Sequence, residues 1–192
     1  MSADIPSAPP PSAPTPSAPA SGLVFADVPN RVIAFIIDAI LLGVIGLVIS
    51  AILGGLGFSA GTVNPDLTFT INPVGVLIQG IVNLAISAAY FIYTWTAMRA
   101  TVGMRLLGMQ IGNAGDGKAL TTEQGVRRFF AIWGPNLVAQ VLQPVPVISL
   151  IFGLIAFAWI IFLIYTTANS PTKQGWHDVF ANSQVVKAAR TV

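Results

Sequence analysis

Two long apolar runs set the limits on what this chain can become. From Arg31 to Leu56 it is apolar apart from Arg31, Asp38 and the small Ser50, and from Pro73 to Ala97 it carries no charge at all. Each run is long enough to cross a hydrocarbon core of ~30 Å, which takes ~20 helical residues. A third apolar stretch, Phe129 to Thr167, is too long for one ordinary span. It is broken by Gln143-Pro144-Val145-Pro146, where paired prolines end or sharply kink a helix. The 192 residues hold nine Lys or Arg and seven Asp or Glu, 8% charged. A soluble domain carries roughly 25%. Lipid must therefore be the solvent for most of the surface, which excludes a soluble enzyme. A nucleic-acid-binding domain is excluded too, since phosphate contacts demand a dense cationic face.

The distribution of cations orients the spans. Residues 57–72 contain no Lys or Arg and only Asp66, whereas 98–128 hold Arg99, Arg105, Lys118, Arg127 and Arg128. By the positive-inside rule the first loop faces out and the second segment faces the cytoplasm, as do both termini. Lys173, Lys187 and Arg190 keep the C-terminal side inside, so the third stretch must cross an even number of times. The expected fold is an all-α polytopic bundle with four apolar segments: 31–56, 73–97, 129–143 and 147–167. The last two form a hairpin at the Pro-x-Pro break, with a short re-entrant or interfacial helix as the alternative for 129–143. Within the cytoplasmic segment, Gly108 to Gly112 and Lys118 to Thr121 suggest a β-hairpin around Asp116-Gly117. Thr121 and Gln124 have the spacing of a capping box that starts the next helix.

Residues 1–24 form a separate Pro/Ala/Ser-rich tail, containing a period-five repeat over 6–20: PSAPP, PSAPT, PSAPA. Proline fixes φ and removes donors, so a disordered, extended spacer is expected there. The transmembrane domain then covers 25–188, and 189–192 are a C-terminal tail. The chain has no cysteine and a single histidine, His177. No thiol chemistry, metal site or cofactor is expected, and no nucleophile and base stand together. Adjacent His177 and Asp178 seldom face each other well enough for catalysis, so the reading is not an enzyme.

Asp38 is the informative residue. It lies seven residues, or ~10 Å of helix, inside the first run. A carboxylate there costs ~2.5–3.5 kcal/mol on the insertion scale, so it should face the bundle and find a partner on another segment. Gln79, Asn83 and Ser87 make one polar stripe on the second run, and Asn136 and Gln140 one on the third. Counted from the cytoplasmic edge, Asp38, Tyr90 and Asn136 lie at similar depth and are candidates to line one polar cavity.

Arg31 and Asp38 in Asn-Arg-Val-Ile-Ala-Phe-Ile-Ile-Asp, with Asp178 in Lys-Gln-Gly-Trp-His-Asp, resemble the signature residues of the RDD family of multi-spanning membrane proteins. Thr101 to Met109, with Gly103, Arg105 and Gly108, resembles that family's segment after the second span. The resemblance implies a prokaryotic cytoplasmic-membrane protein whose functional residues are Arg31, Asp38 and Asp178, supported by Arg105 and His177. It also implies transport of an undefined ligand. Three hypotheses follow. One is a transporter of a small ion or solute in which Asp38 is the coupling carboxylate; a bundle this thin favours a pore between protomers of a homo-oligomer. The second is a structural or accessory membrane protein in which the same residues lock the cytoplasmic part to the spans. The third is a lipid-handling factor using Arg127 and Arg128 at an anionic surface.

Overall fold

The computed structural model describes residues 22–142 and 146–188. The Pro-rich repeat, residues 143–145 of the expected break and the tail 189–192 lie outside the described residues. Six helices and five short strands follow in the order β1 (Leu23–Phe25), α1 (Val28–Gly55), β2 (Gly61–Val63), β3 (Phe69–Ile71), α2 (Pro73–Thr96), α3 (Val102–Leu106), β4 (Met109–Asn113), α4 (Thr122–Val141), α5 (Pro146–Asn169), α6 (Trp176–Phe180) and β5 (Ser183–Ala188). Among the described residues three helices are long and apolar enough to cross a membrane: α1, α2 and residues 147–169 of α5. Their outer faces leave Ile36, Ile40, Leu47, Leu154, Phe157 and Tyr165 exposed, a surface that only lipid accommodates.

Local chemistry explains where the long helices begin. Asp27 caps α1 by accepting from the Asn30 N–H at 3.0 Å, and Pro29 sits in the first turn, where no amide donor is needed. Asn72 does the same for α2 through the Gly75 N–H at 3.2 Å, ahead of Pro73. The expected capping box opens α4: Thr121 Oγ1 accepts from the Gln124 N–H at 3.2 Å, and Gln124 Oε1 accepts from the Thr121 N–H at 3.0 Å. That box starts the helix seven residues before the apolar segment expected from 129. The first two turns of α4 consequently carry Glu123, Arg127 and Arg128. The third expected segment, 129–143, is thus part of a longer helix that is not among the three apolar enough to cross a membrane.

The β structure corrects an all-α expectation. The turn at Asp116-Gly117 forms, with Gly117 in the left-handed region at φ +68 and its N–H on the Asn113 carbonyl at 2.9 Å. The local hairpin does not. β4 pairs antiparallel with β5, and β5 pairs on its other side with β1, giving the order β1-β5-β4. The reason is burial. Met109, Ile111 and Val185 lie on one face of the sheet and join the buried core at the helix ends, which a hairpin of 108–112 with 118–121 would leave uncovered. A second, two-stranded ribbon of β2 and β3 caps the opposite ends of α1 and α2.

The core lies where α1, α2 and α4 approach the sheet. Phe91 packs against Trp95, Phe129 and Trp133, and Phe35 tilts onto Trp133 from α1. α4 packs on α2 on one side and on α5 on the other, where Trp159 Nε1 donates to the Ala131 carbonyl at 2.9 Å. The short α3 lies directly on α1. A Cβ at Gly103 would sit 2.1 Å from the Ala34 carbonyl oxygen, so this contact of one backbone on another admits only glycine. Gly103→Ala is therefore expected to push α3 off α1 and lower stability by roughly 1–3 kcal/mol, the ordinary cost of overpacking. Tryptophan-monitored thermal unfolding in detergent would read the loss.

Candidate functional site

Asp38 is buried, 2% exposed, and its carboxylate accepts from three donors. Tyr90 Oη on α2 donates at 2.7 Å, Thr101 Oγ1 at 2.5 Å and the Gly103 N–H at 2.8 Å. Tyr90 Oη in turn accepts from the Val102 N–H at 3.1 Å, and Thr101 Oγ1 accepts from the Met104 N–H at 3.2 Å. The intramembrane carboxylate therefore holds the first turn of α3 against α1 and α2. Anions are favoured at helix N-termini because the first amides have no partner within the helix. The shared depth of Asp38 and Tyr90 becomes a direct bond, whereas Asn136 lies elsewhere.

Arg31 does not pair with Asp38. One turn into α1, its Nη1 reaches Asp178 Oδ2 at 2.6 Å, while its Nε donates to the Ala26 carbonyl at 3.1 Å. The other Asp178 oxygen takes Arg128 Nη1 from α4, and the same nitrogen donates to Ser183 Oγ on β5 at 2.6 Å. The Gly175 N–H adds a bond to Asp178 Oδ2 at 3.1 Å, and Arg128 lies over the Trp95 ring at 5.1 Å from its centre. One fully buried carboxylate thus joins α1, α4 and α6, with Ser183 bringing in β5. Burial pushes Asp178 up, but the guanidinium of Arg128, with that of Arg31, outweighs it and holds the carboxyl far below the usual carboxylate range. His177 Nε2 is 3.6 Å from Asp178 Oδ1, and burial drives its imidazole down to about 4 against the pull of that carboxylate. Arg105 stands apart from both clusters, exposed and donating to the Met98 carbonyl at 3.3 Å.

The polar stripes line space. A cavity of about 570 Å³ between α1, α2 and α4 is bordered by Asn83, Ser87, Asn136 and Gln140. A second of about 400 Å³ toward the β2–β3 ribbon is bordered by Gln79, Asn83 and Gln140. The two share Asn83 and Gln140, and among the described residues no charged side chain lines either. Trp133 Nε1 and Asn136 Nδ2 are buried donors without a partner, and both residues line the larger space. Tyr90 contributes to neither cavity, being committed to Asp38.

Sequence reasoning missed Thr101 as a donor to Asp38, Arg128 as the second arginine on Asp178, and Ser183. A threonine followed by Val-Gly-Met-Arg-Leu-Leu carries an N-cap signal that marks the first. Nothing local distinguishes Arg128 from Arg127, whose Nη2 instead bonds Glu123 one turn back at 2.5 Å.

Two outcomes are expected. Asp178→Asn leaves Arg128 buried without a counter-charge and should cost about 3–5 kcal/mol, seen as a collapse of yield or melting temperature. Acidification should destabilise the protein in two windows. His177, with a folded value of about 4 against an ordinary 6.5, contributes stability that is present above 6.5 and lost as pH falls toward 4. Asp178, with its folded value depressed, loses its contribution only below about 3.8, the ordinary aspartate value. A melting series from pH 7 to 4 on the wild type should slope downward, and His177→Gln should flatten it.

No curated protein and no solved structure matches this sequence. A model of the RDD family matches residues 25–182, which include Arg31, Asp38 and Asp178 and all three membrane-crossing helices. This chain is a multi-pass membrane protein that belongs to the RDD family.

Proposed function

We propose that this protein binds a small, uncharged polar solute in the space between α1, α2 and α4 and passes it across the membrane. The observation behind this reading is the pair of adjoining cavities, which share Asn83 and Gln140 and carry no charge on their walls among the described residues. Amides, a hydroxyl and an indole can replace a neutral solute's hydrogen bonds to water, whereas an ion there would meet no counter-charge. Asp38 lies outside both cavities, and its oxygens are taken by three donors, which favours an anchor over a coupling site. In this reading the sheet end, rich in arginine and lysine, faces the cytoplasm, and α4 completes a fourth crossing. The activity is carriage without covalent chemistry.

Uptake into proteoliposomes tests this against a panel of small polyols and amides beside monovalent cations. Neutral solutes should enter, and Asn83→Leu or Asn136→Leu should slow them roughly tenfold, the equivalent of ~1.4 kcal/mol in a lost hydrogen bond. A cation flux abolished by Asp38→Asn in folded protein would overturn this reading and restore the carboxylate as the coupling group.

The three donors on Asp38 also favour a second reading, a structural or accessory membrane protein without transport. Asp38→Asn would then lower stability by about 1–3 kcal/mol, because an amide nitrogen would face a donor. A variant that melts like the wild type would remove Asp38 as an anchor.

A further inference from the structure

The two short helices, α3 and α6, lie beside the membrane-crossing helices rather than beyond their ends. The Trp176 N–H that opens α6 donates to Thr166 Oγ1 at 3.1 Å, in the last turn of α5. The Trp176 ring then meets the Trp159 ring edge-on at 5.2 Å. Trp159 precedes Thr166 by seven residues, which places it ~10 Å deeper along a membrane-crossing helix. Phe180 stacks on Trp176 at 5.2 Å. Helical spacing brings positions 176, 179 and 180 to one face, and Trp176, Val179 and Phe180 are 40%, 64% and 50% exposed there. Asp178 occupies the opposite, buried face. α3 repeats this pattern against α1: Gly103 and Met104 are buried, while Val102 and Leu106 are exposed. The bonds from Thr101 and Gly103 to Asp38 set α3 at the depth of that carboxylate.

We propose that the outer faces of α3 and α6 are seated in the bilayer interface at the sheet end, with Val102, Leu106, Trp176, Val179 and Phe180 among the upper acyl chains. The partner is phospholipid, with no demand on its headgroup charge. Continuity with a lipid-facing surface carries the assignment. Trp176 joins α6 to Trp159 and Phe162 on α5, whose Leu154, Phe157 and Tyr165 are exposed on a helix that crosses the membrane. Amphipathic helices at such a boundary bury their apolar face by ~5–10 Å, and tryptophan is enriched there. Arg105, also exposed on α3, has a stem long enough to keep its guanidinium in water while Leu106 lies in lipid. A single protein partner would not cover both faces, because α3 rests on α1 and α6 on α4 and α5. A bilayer surrounds the bundle and reaches both.

The absence of cysteine allows a single nitroxide to be placed at will. Val179→Cys and Leu106→Cys are spin-labelled in the full chain and reconstituted into phosphatidylcholine vesicles. Leu154→Cys on the lipid face of α5 and Lys118→Cys on the exposed turn after β4 serve as references. Molecular oxygen concentrates in lipid and a neutral nickel chelate in water, so the ratio of their collision rates with each label reads its depth. The ratios at Val179 and Leu106 should lie nearer that of Leu154 than that of Lys118. A ratio at Val179 nearer that of Lys118 overturns the seating of α6, and the same result at Leu106 overturns that of α3. Labels shielded from both reagents and broadened by a neighbouring spin would place a second copy on these faces and overturn the lipid assignment. Phe180→Cys, on the same face of α6, gives the same reading should the Val179 label impair folding.

Discussion

The carboxylate of Asp178 is the point on which the sheet end of this molecule is hung. It has no exposed surface, and it binds Arg31 from α1, Arg128 from α4 and the amide that starts its own helix α6. A buried charge is tolerable only when paired and hydrogen-bonded, and removing one partner leaves the others costly. Two cations around one anion are a demanding arrangement, and Ser183, the Ala26 carbonyl and the Trp95 ring share in stabilising the excess. α1, α4, α6 and, through Ser183, β5 are thereby referred to a single carboxylate.

Asp38 does a parallel job one layer deeper. Where Asp178 gathers side chains, Asp38 gathers an N-terminal helix turn, bonding the Gly103 amide directly and the Met104 amide through Thr101. The close approach of α3 to Ala34 makes that geometry available. The two acidic signature residues therefore fix the cap to the spans at different depths, and the amide-lined space between α1, α2 and α4 lies beyond them. A rigid end and a polar, uncharged interior are compatible with a solute-binding role in which the signature residues shape the scaffold.

How much of this could be read from the residues differs from place to place. Three of the four expected spans were plain, because apolar runs of this length have few other uses, whereas 129–143 was not, because its helix begins in the charged turns before it. The meeting of Asp38 and Tyr90 was legible from helical rise alone, since both lie seven residues from one edge. The pairing of Arg31 with Asp178 was not, because 147 residues separate them and no local pattern links them. That Asp38 would find its partner on another segment was legible, since the cost of a lone carboxylate there demands one, but which residue Arg31 would meet was not. The hairpin expected at Asp116-Gly117 had its turn correct and its partner strand wrong. Turn chemistry is local, whereas the choice of partner for β4 depends on which strand buries Met109 and Ile111.

The central position of β5 in its sheet has a consequence for biosynthesis. β5 follows every membrane helix in the chain, yet it is the strand that both β1 and β4 require as neighbour. Asp178 and Ser183 likewise emerge from the ribosome after the arginines they bind. Arg31 and Arg128 must therefore wait at the membrane surface while α5 is threaded in, solvated by water and lipid phosphates. Closure of the cap is thus the last folding event, and it reports that all the preceding helices have been inserted.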